Sequence, residues 1–301
     1  MKIEQLLKYL KCPYCDNPNL NLSENSIQCI DCGINYSIIE GIPVFINTDK
    51  LNEQEKNQMK WFNKHYSEFS NDNYHLENWR LSMLNRIFNN DFKTTVNTYL
   101  DIGCGATGYT VIEGAKRNGW TSIGSDISIE AMVKASKLAE KQGVSNNTAF
   151  IVCSAENLPF KNNIFDYVSA ISMLEHIEND TRVIQNISSI IKQSGYFYIC
   201  VPNTYSRMWF FLWPLYLYND IKIGHKRHYS IEKLDSYLLT NNIFVKHKEF
   251  YNGHLIKIYQ ILLEKLKKIN DDEWWKIEGK DINYKNNGVQ LNVIYRKEIL
   301  I

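Results

Sequence analysis

Four of the seven cysteines in this chain of 301 residues form two Cys-x-x-Cys pairs near the start of the sequence. A two-residue spacing lets a tight turn aim both sulfurs at one point, and two such turns supply the four thiolates of a tetrahedral zinc site. Four cysteine ligands leave no position for substrate, so the ion would be structural and its binding coupled to folding. No secretion signal is visible over Met1–Leu10, which favours zinc over disulfides. The predicted metal ligands are Cys12, Cys15, Cys29 and Cys32.

A second group of chemistry-bearing residues lies in the stretch YLDIGCGATGYT, residues 99–110. Its three glycines have the G-x-G-x-x-G spacing of a dinucleotide loop, in which N–H groups at a helix end hold a pyrophosphate. The acid Asp101, two residues before the first glycine, instead suits a ligand that has no phosphate and carries an ammonium group. Asp126 ends the next predicted strand, where it can accept hydrogen bonds from ribose hydroxyls. A dinucleotide and a nucleoside without phosphate both carry such hydroxyls, so Asp126 does not distinguish between them.

The segments LDIGCG and CSAENLPFKNNIFDYV (153–168) resemble the class I S-adenosylmethionine-dependent methyltransferases, particularly the ubiquinone/menaquinone-biosynthesis-like group. Gly108 comes one residue later than the third glycine usual in that family. The family has an Asp, which accepts from the adenine amino group, at the position of Ser154. We therefore expect looser cofactor binding here and tighter binding in Ser154→Asp. The resemblance implies these S-adenosylmethionine-binding residues: Asp101, Gly103, Cys104, Gly105, Asp126, Ile127, Ser154, Ala155 and Glu156.

Two further segments, SMLEHIEND (172–180) and GHKRHYS (224–230), resemble signatures of the same group and hold the candidate catalytic residues. His176 is either a general base or a residue packed beneath the cofactor. Arg227 is the candidate anion clamp, and His225 or His228 the proton acceptor. The alternative is that this basic cluster is only a solvated turn or a helix cap. Because the sulfonium methyl is already activated, the enzyme mainly aligns the acceptor and excludes water, and needs a base only for a weak nucleophile.

Residues 6–46 resemble a zinc-ribbon family, the activator protein that partners tRNA, rRNA and release-factor methyltransferases, and its fused copies. The ending YSIIEGIPVFI resembles the closing strand of that family, with Ser37 where proline is usual and Glu40 where Asp is commoner. The resemblance implies a zinc-ribbon domain over 1–48 and methyl transfer nearby. We expect the ribbon to dock on its own chain, where it would shield Ile42, Val44 and Phe45.

Strand-like and helix-like segments alternate after Asn97, as in a doubly wound α/β sheet. The resemblance implies a Rossmann-like methyltransferase fold with a seven-stranded, mostly parallel sheet whose last strand is antiparallel. Residues 49–96 are a predicted helical bridge, either packed on the next domain or forming a lid in which Tyr66 or Tyr74 touches the ligand. The methyltransferase domain is predicted over 97–301. Predicted strands cover 98–103, 121–127, 148–154, 165–172, 196–202, 243–252 and 289–298; predicted helices cover 128–143, 180–195 and 230–242.

The acceptor is expected to meet an insert over 203–230, whose aromatic residues and following cations suit an apolar acceptor with an anionic group. The alternative is that these aromatic residues form a buried cap. We expect a cytoplasmic enzyme acting on a small-molecule, lipid or glycan-linked acceptor, and peripheral membrane contact is compatible with this. The stretch 208–218 is too short to cross a bilayer.

The formal net charge of +1 gives no broad phosphate-binding face and argues against nucleic acid as a partner. An RNA methyltransferase is nevertheless the nearest alternative, since some rRNA methyltransferases join a four-ligand zinc module to this domain. A non-catalytic partner of another methyltransferase is the second alternative, and a dehydrogenase the last. The sequence does not define the oligomeric state.

Overall fold

A computed structural model describes residues 1–68, 88, 97–239, 243–254, 280–282 and 285–298. The described chain divides into two compact units. Of the described residues, the first unit contains 1–68, 97–169 and 178–195. The second contains 88, 170–177, 196–239, 243–254, 280–282 and 285–298. The predicted boundaries at 48 and 96 remain predictions. Within the described residues, no helix is long and apolar enough to cross a membrane.

The N-terminal segment begins with a short helix, α1 (Ile3–Leu6), and folds into a four-stranded antiparallel sheet in the order β1-β2-β3-β4. Gly33, directly after the second cysteine pair, has φ 73°, a conformation that glycine adopts without strain. The sheet is too small to bury a core of its own, as expected for a segment that a metal ion would stabilise. The strands are β1 (Leu20–Leu22), β2 (Ser26–Cys29), β3 (Asn35–Ile39) and β4 (Ile42–Pro43).

The large sheet has seven strands in the order β10-β11-β9-β8-β5-β6-β7. Strand β6 pairs in parallel with both β5 and β7, whereas β11 is antiparallel to both β9 and β10. This confirms the predicted α/β fold with an antiparallel last strand. The strands are β5 (Thr98–Ile102), β6 (Thr121–Asp126), β7 (Thr148–Val152), β8 (Phe165–Ile171), β9 (Ile191–Pro202), β10 (Phe244–Asn252) and β11 (Gln290–Lys297).

Helices connect these strands. Four of the helices have an N-cap residue whose side chain accepts a hydrogen bond from a backbone N–H group. These N-caps are Asn52 of α2, Ser128 of α4, Asn179 of α5 and Ser230 of α7. The helices are α2 (Glu53–Ser67), α3 (Tyr109–Asn118), α4 (Ile129–Lys141), α5 (Asp180–Ile190), α6 (Trp213–Ile223) and α7 (Ile231–Leu238).

The prediction of one helix over 180–195 is wrong at its C-terminal end. The helix stops at Ile190 and strand β9 begins at the next residue. Gly195 lies inside this strand and does not end the helix. A Cβ on Gly195 would come within 3.0 Å of the Asp166 backbone oxygen, so the glycine permits a close approach of two backbones.

The predicted ribbon segment, residues 1–48, packs on the rest of the first unit through backbone pairing and apolar contacts. The N–H of Phe45 donates to the Val152 carbonyl over 2.7 Å, and Val44 forms a parallel bridge with the same residue. Ile42 is buried in one core cluster with residues of α4 and β7. The expected docking on its own chain is therefore confirmed, and Phe45 is also buried.

Helix α2 occupies the first part of the predicted bridge and packs against α4 in the first unit. The Ser128 hydroxyl donates to the Asn63 side chain over 2.7 Å, and Lys134 Nζ donates to the Tyr66 backbone oxygen. These contacts support the packed-helix interpretation for this part, which remains a prediction. In the second part Phe88 is buried, whereas Tyr74, Trp79, Met83, Leu84 and Ile87 lie outside the described residues.

Candidate active site

The glycine loop follows β5 and leads into α3. Gly103, Gly105 and Gly108 all have positive φ (75°, 64° and 48°), which explains why the loop needs three glycines. Gly108 is also the N-cap of α3, and a Cβ there would come within 2.9 Å of the Phe150 ring. The late third glycine therefore lets the first turn of α3 pack closely on the sheet.

Asp101 is buried beneath this loop and does not face solvent. Its Oδ1 accepts a hydrogen bond of 2.5 Å from the Ser169 hydroxyl, and its Oδ2 accepts one from the Thr110 hydroxyl. The carboxylate thus ties the start of α3 to strand β8, as expected for a residue that orders the loop. Burial raises the pKa of Asp101 to about 7, although both hydroxyls oppose that shift.

Asp126 ends β6 beside the same loop. Its Oδ2 accepts from the Gly105 N–H over 3.1 Å, and its Oδ1 accepts from the Ser128 N–H over 3.0 Å. Burial raises the pKa of Asp126 to about 6, against the effect of backbone hydrogen bonds that include one to Ile127. Two neighbouring carboxyl groups, those of Asp101 and Asp126, therefore flank a loop that has no basic residue.

Cys104 contributes to the loop through its backbone. The N–H groups of Gly103 and Cys104 both donate to the Ser125 carbonyl, over 2.7 and 3.1 Å. The Cys104 side chain is buried in the core, where burial raises the pKa of its thiol well above the usual value. This thiol therefore packs as a small apolar group.

The predicted adenine-side residues, Ser154, Ala155 and Glu156, follow β7 and are all buried. The side-chain amide of Asn186 on α5 donates to the carbonyl oxygens of Ala155 (3.2 Å) and Glu156 (3.0 Å). The Glu156 N–H donates to the Ser154 hydroxyl over 3.1 Å. These bonds fix the turn on which the adenine interaction was predicted.

Glu55 is a residue of this site that the sequence analysis missed. Its Oε1 accepts from the Ser154 hydroxyl, its Oε2 accepts from the Asn52 N–H over 2.9 Å, and its side chain is buried. Helix α2 thus brings a carboxylate to the position next to Ser154, where the resemblance implied a missing Asp. The Asn-x-x-Glu capping box could have located the start of the helix, but not its contact with Ser154.

Tyr66, near the end of α2, lies over the glycine loop. Its hydroxyl oxygen is 3.0 Å from the point where a Cβ on Gly105 would stand. Its ring also packs against the core cluster that contains Cys104 and Phe150. This placement supports the lid interpretation for Tyr66, and direct contact with the ligand remains a prediction.

The four predicted metal ligands come together in the ribbon segment. The sulfurs of Cys12 and Cys32 are 3.6 Å apart, and those of Cys15 and Cys29 are 3.5 Å apart. All four lie within 4.8 Å of one another. Zinc–sulfur bonds of about 2.3 Å in a tetrahedron require sulfur separations of roughly 3.8 Å, so this cluster fits the ion. The Tyr36 hydroxyl lies 3.0 Å from the Cys12 sulfur, where it can orient that ligand.

The second unit brings together the histidines of the GHKRHYS segment around Asp220, another residue that the sequence analysis missed. His225 Nδ1 lies 2.8 Å from Asp220 Oδ1, and His228 Nε2 lies 2.7 Å from Asp220 Oδ2. The Tyr205 hydroxyl also donates to Asp220. Burial alone would raise the pKa of Asp220, but these hydrogen bonds lower it below its usual value. Both histidine side chains thus contact Asp220, a residue of α6.

Both ring nitrogens of His228 contact other parts of the protein. Its Nδ1 lies 2.6 Å from the Asn203 carbonyl oxygen, while its Nε2 faces the Asp220 carboxylate. Neither nitrogen is therefore directed at an acceptor molecule, and the role of His228 as proton acceptor remains a prediction. His225 differs, because Nδ1–H can donate to Asp220 and leave the Nε2 lone pair available.

His176 and Arg227 complete the predicted set in the second unit. The His176 ring packs edge-on against His225, with ring centroids 4.9 Å apart. Burial lowers the pKa of His176 to about 4, helped by the nearby His225, so its ring is neutral. Arg227 lies between His225 and His228 in the sequence, and it is half-buried. Its role as an anion clamp remains a prediction.

The aromatic residues of the insert divide between two environments. Met208, Leu212 and Tyr216 are buried in a small cluster, as the buried-cap interpretation expects. Other apolar side chains nearby are exposed, and they give α6 and the turn before it an apolar surface: Phe210, Phe211, Trp213, Leu217, Tyr218 and Ile221.

A family model described as a methyltransferase domain matches residues 94–236. Residues 94–236, just under half of the chain, are therefore similar to a methyltransferase domain. The chain is 36% identical over 88 residues to norajmaline N-methyltransferase of Rauvolfia serpentina, which covers 29% of this chain and 30% of that enzyme. It is 29% identical over 140 residues to the ubiquinone/menaquinone biosynthesis C-methyltransferase of Rickettsia typhi, which covers 43% and 56%.

Among solved structures, geranyl diphosphate C-methyltransferase from Streptomyces coelicolor superposes with a TM-score of 0.58 at 12% identity. That match covers 82% of this chain and 98% of the other, and it supports the fold. The chain spans less than two thirds of the length of the two curated relatives described above.

Substitution of Asp101 should change how stability depends on pH. The carboxyl binds a proton more tightly in the folded state (pKa about 7) than in the unfolded state (about 3.8), so wild-type stability falls as pH rises between these values. At about 1.4 kcal/mol per pH unit, the loss contributed by Asp101 between pH 5 and 7 is at most about 3 kcal/mol. Urea unfolding of Asp101→Asn should lack this loss.

The exposed-site variant Glu140→Gln is the control for the Asp101 measurement. Its stability should follow the wild-type pH dependence. Parallel curves for Asp101→Asn and wild type would contradict the assignment of this pH dependence to Asp101.

The contact between Glu55 and Ser154 reverses the expectation for Ser154→Asp. An aspartate there would face the Glu55 carboxylate, and two like charges at that distance repel. We now expect Ser154→Asp and Glu55→Gln each to weaken S-adenosylhomocysteine binding roughly tenfold, about 1.4 kcal/mol. The double variant keeps one carboxylate and should recover most of the affinity, as measured by calorimetry.

Glu53→Gln provides the matched control, because Glu53 is an exposed acid in the first turn of the same helix. It should bind the cofactor product as wild type does. Tighter binding by the single variant Ser154→Asp would restore the original expectation and exclude Glu55 from the site.

Proposed function

We propose that this protein transfers a methyl group from S-adenosylmethionine to a small-molecule, lipid or glycan-linked acceptor. The observation that carries the proposal is the pair of carboxyl groups beside the glycine loop. Asp126 accepts a hydrogen bond from the Gly105 N–H. Asp101 is buried close to Asp126, whose charge raises the pKa of Asp101. Negative charge at this loop disfavours a diphosphate and favours a cationic sulfonium and ammonium ligand.

The residues that would hold the cofactor occupy the first unit. Asp126 would accept from the ribose hydroxyls, and the turn at Ser154, with Glu55 beside it, would face the adenine amino group. Tyr66 would cover the loop from α2. When bound, S-adenosylmethionine supplies the activated methyl group, so the protein has to bind, orient and exclude water.

Thermal-shift measurements test the cofactor assignment. S-adenosylhomocysteine should raise the melting temperature, because a ligand that binds only the folded state stabilises it, whereas NAD should leave it unchanged. Asp126→Asn should lose the shift caused by S-adenosylhomocysteine. A shift with NAD alone would identify a dehydrogenase instead.

The acceptor side of the proposal is supported by the half-buried cluster around Asp220 and by the exposed apolar residues on α6. Arg227 would pair with a carboxylate or phosphate of the acceptor, while the apolar surface suits a lipid-like part. The neutral ring of His225 would take a proton if the acceptor is a hydroxyl. A net charge of +1 supports a small acceptor over RNA.

Incubation with isotope-labelled cofactor and a cell extract, followed by mass spectrometry, tests the acceptor class. We expect label in a metabolite or lipid fraction, and Arg227→Ala should raise the acceptor KM at least tenfold. Arg207→Ala is the control, because Arg207 is an exposed arginine of the same insert. Label in RNA would overturn the acceptor class, and no label in any fraction would favour a non-catalytic partner.

We also propose that the four cysteines bind a structural zinc ion, which the sulfur separations support. Cys29→Ser should lose one equivalent of zinc per chain and should destabilise the ribbon segment, because metal binding supplies folding energy there. Cys200→Ser, at a buried cysteine outside the cluster, should keep its zinc. Equal metal content in wild type and Cys29→Ser would contradict the zinc site.

A further inference from the structure

Three side chains of the second unit, those of Glu175, His176 and His225, converge on one point. One ligand atom from each lies within 4.8 Å of the other two. His225 Nε2 is 3.7 Å from Glu175 Oε1, which is too long for a hydrogen bond but suited to two atoms that share a ligand between them. Two imidazoles and one carboxylate are a donor set typical of divalent first-row transition metals.

Glu175 is the member of this cluster that requires a partner. Its side chain is fully buried, and neither carboxyl oxygen has a hydrogen-bond partner in the part of the chain that the structure describes. Burial of an unpaired carboxylate is unfavourable, and a cation bound between the three side chains would offset that cost.

The surroundings of the two histidines match those of metal ligands. A histidine that binds metal through one nitrogen commonly donates its other N–H to a carboxylate or a backbone carbonyl. His225 Nδ1 meets Asp220 Oδ1 at 2.8 Å, and the His176 ring hydrogen-bonds the Gly224 backbone. Asp220 is itself held by Tyr205 and His228, so the orientation of His225 is fixed.

We propose that Glu175, His176 and His225 bind a divalent first-row transition-metal ion. Three protein ligands leave coordination positions open, so the ion can also bind an oxygen ligand. This second step rests on the proposed function: an acceptor hydroxyl bound to the ion would have a lowered pKa and would lose its proton to water. Its oxygen would then form the O–CH3 bond as the S–CH3 bond of S-adenosylmethionine breaks, and S-adenosylhomocysteine would leave as the neutral thioether. The metal would then replace the lone pair of His225 as the activating group.

Titration with Co²⁺ tests the site, because the absorption spectrum separates it from the cysteine cluster. Thiolate ligands give Co²⁺ strong charge-transfer bands in the near ultraviolet, whereas nitrogen and oxygen ligands give only weak visible bands. The full chain with zinc on its cysteines should bind one Co²⁺ with weak visible bands alone. Glu175→Gln should weaken this binding at least tenfold, while Glu178→Gln, an exposed acid nearby in sequence, should bind as wild type does.

Asp220→Asn tests the positioning role of the outer carboxylate, and loss of such a partner typically weakens metal binding 10–100-fold. If Glu175→Gln fails to fold, as judged by circular dichroism, His225→Gln and Asp220→Asn are read in its place. No weak visible bands with wild type, or unchanged Co²⁺ affinity in these variants, would overturn the proposal. Because the readout involves no methyl transfer, a failure of the metal site is distinguishable from a failure of the proposed function.

Discussion

The glycine loop of this protein depends on one buried carboxylate, that of Asp101. Three glycines with positive φ make a loop that has few side-chain contacts of its own, so something must hold it in place. Asp101 does so through two hydroxyls, one at the start of α3 and one on β8. Burial of this acid lowers the stability of the fold, but its hydrogen bonds give the loop a fixed shape.

Other buried acidic residues of the chain also need hydrogen-bond partners, and these partners differ from one residue to the next. Asp126 is satisfied by backbone N–H groups, and Glu55 by a hydroxyl and a helix cap. Asp220 is satisfied by two histidines and a tyrosine. Glu175 has no such partner among the described residues, which makes it the exception that a bound cation explains.

Much of the fold could be predicted from the sequence, because strand and helix patterns, caps and glycines are local signals. The alternation after residue 97 predicted all seven strands, each within a few residues except at β9. The error at 180–195 arose because Gly195 was taken as a helix end, whereas it allows two backbones to approach. The sequence alone does not distinguish a glycine that ends a helix from one that allows two backbones to approach closely.

The site was less predictable, because its main contacts join distant parts of the sequence. Glu55 and Ser154 are 99 residues apart, and no local pattern pairs them. The histidines of the GHKRHYS segment were located by resemblance, but their hydrogen-bond partners could not be. These partners are the Asn203 carbonyl for His228 and the Asp220 carboxylate for His225. Sequence motifs identified the candidate functional residues, whereas the hydrogen-bond partners of these residues are evident only in the tertiary structure.

The docking of the ribbon has a consequence for how the chain is made. Phe45 binds the backbone of Val152, so about a hundred residues must leave the ribosome after the ribbon before its docking strand exists. During that interval Ile42 and Phe45 have no surface to cover them, and exposed apolar residues of this kind promote aggregation. Early capture of a metal ion by the four cysteines would give the nascent segment a stable shape while it waits for its own sheet.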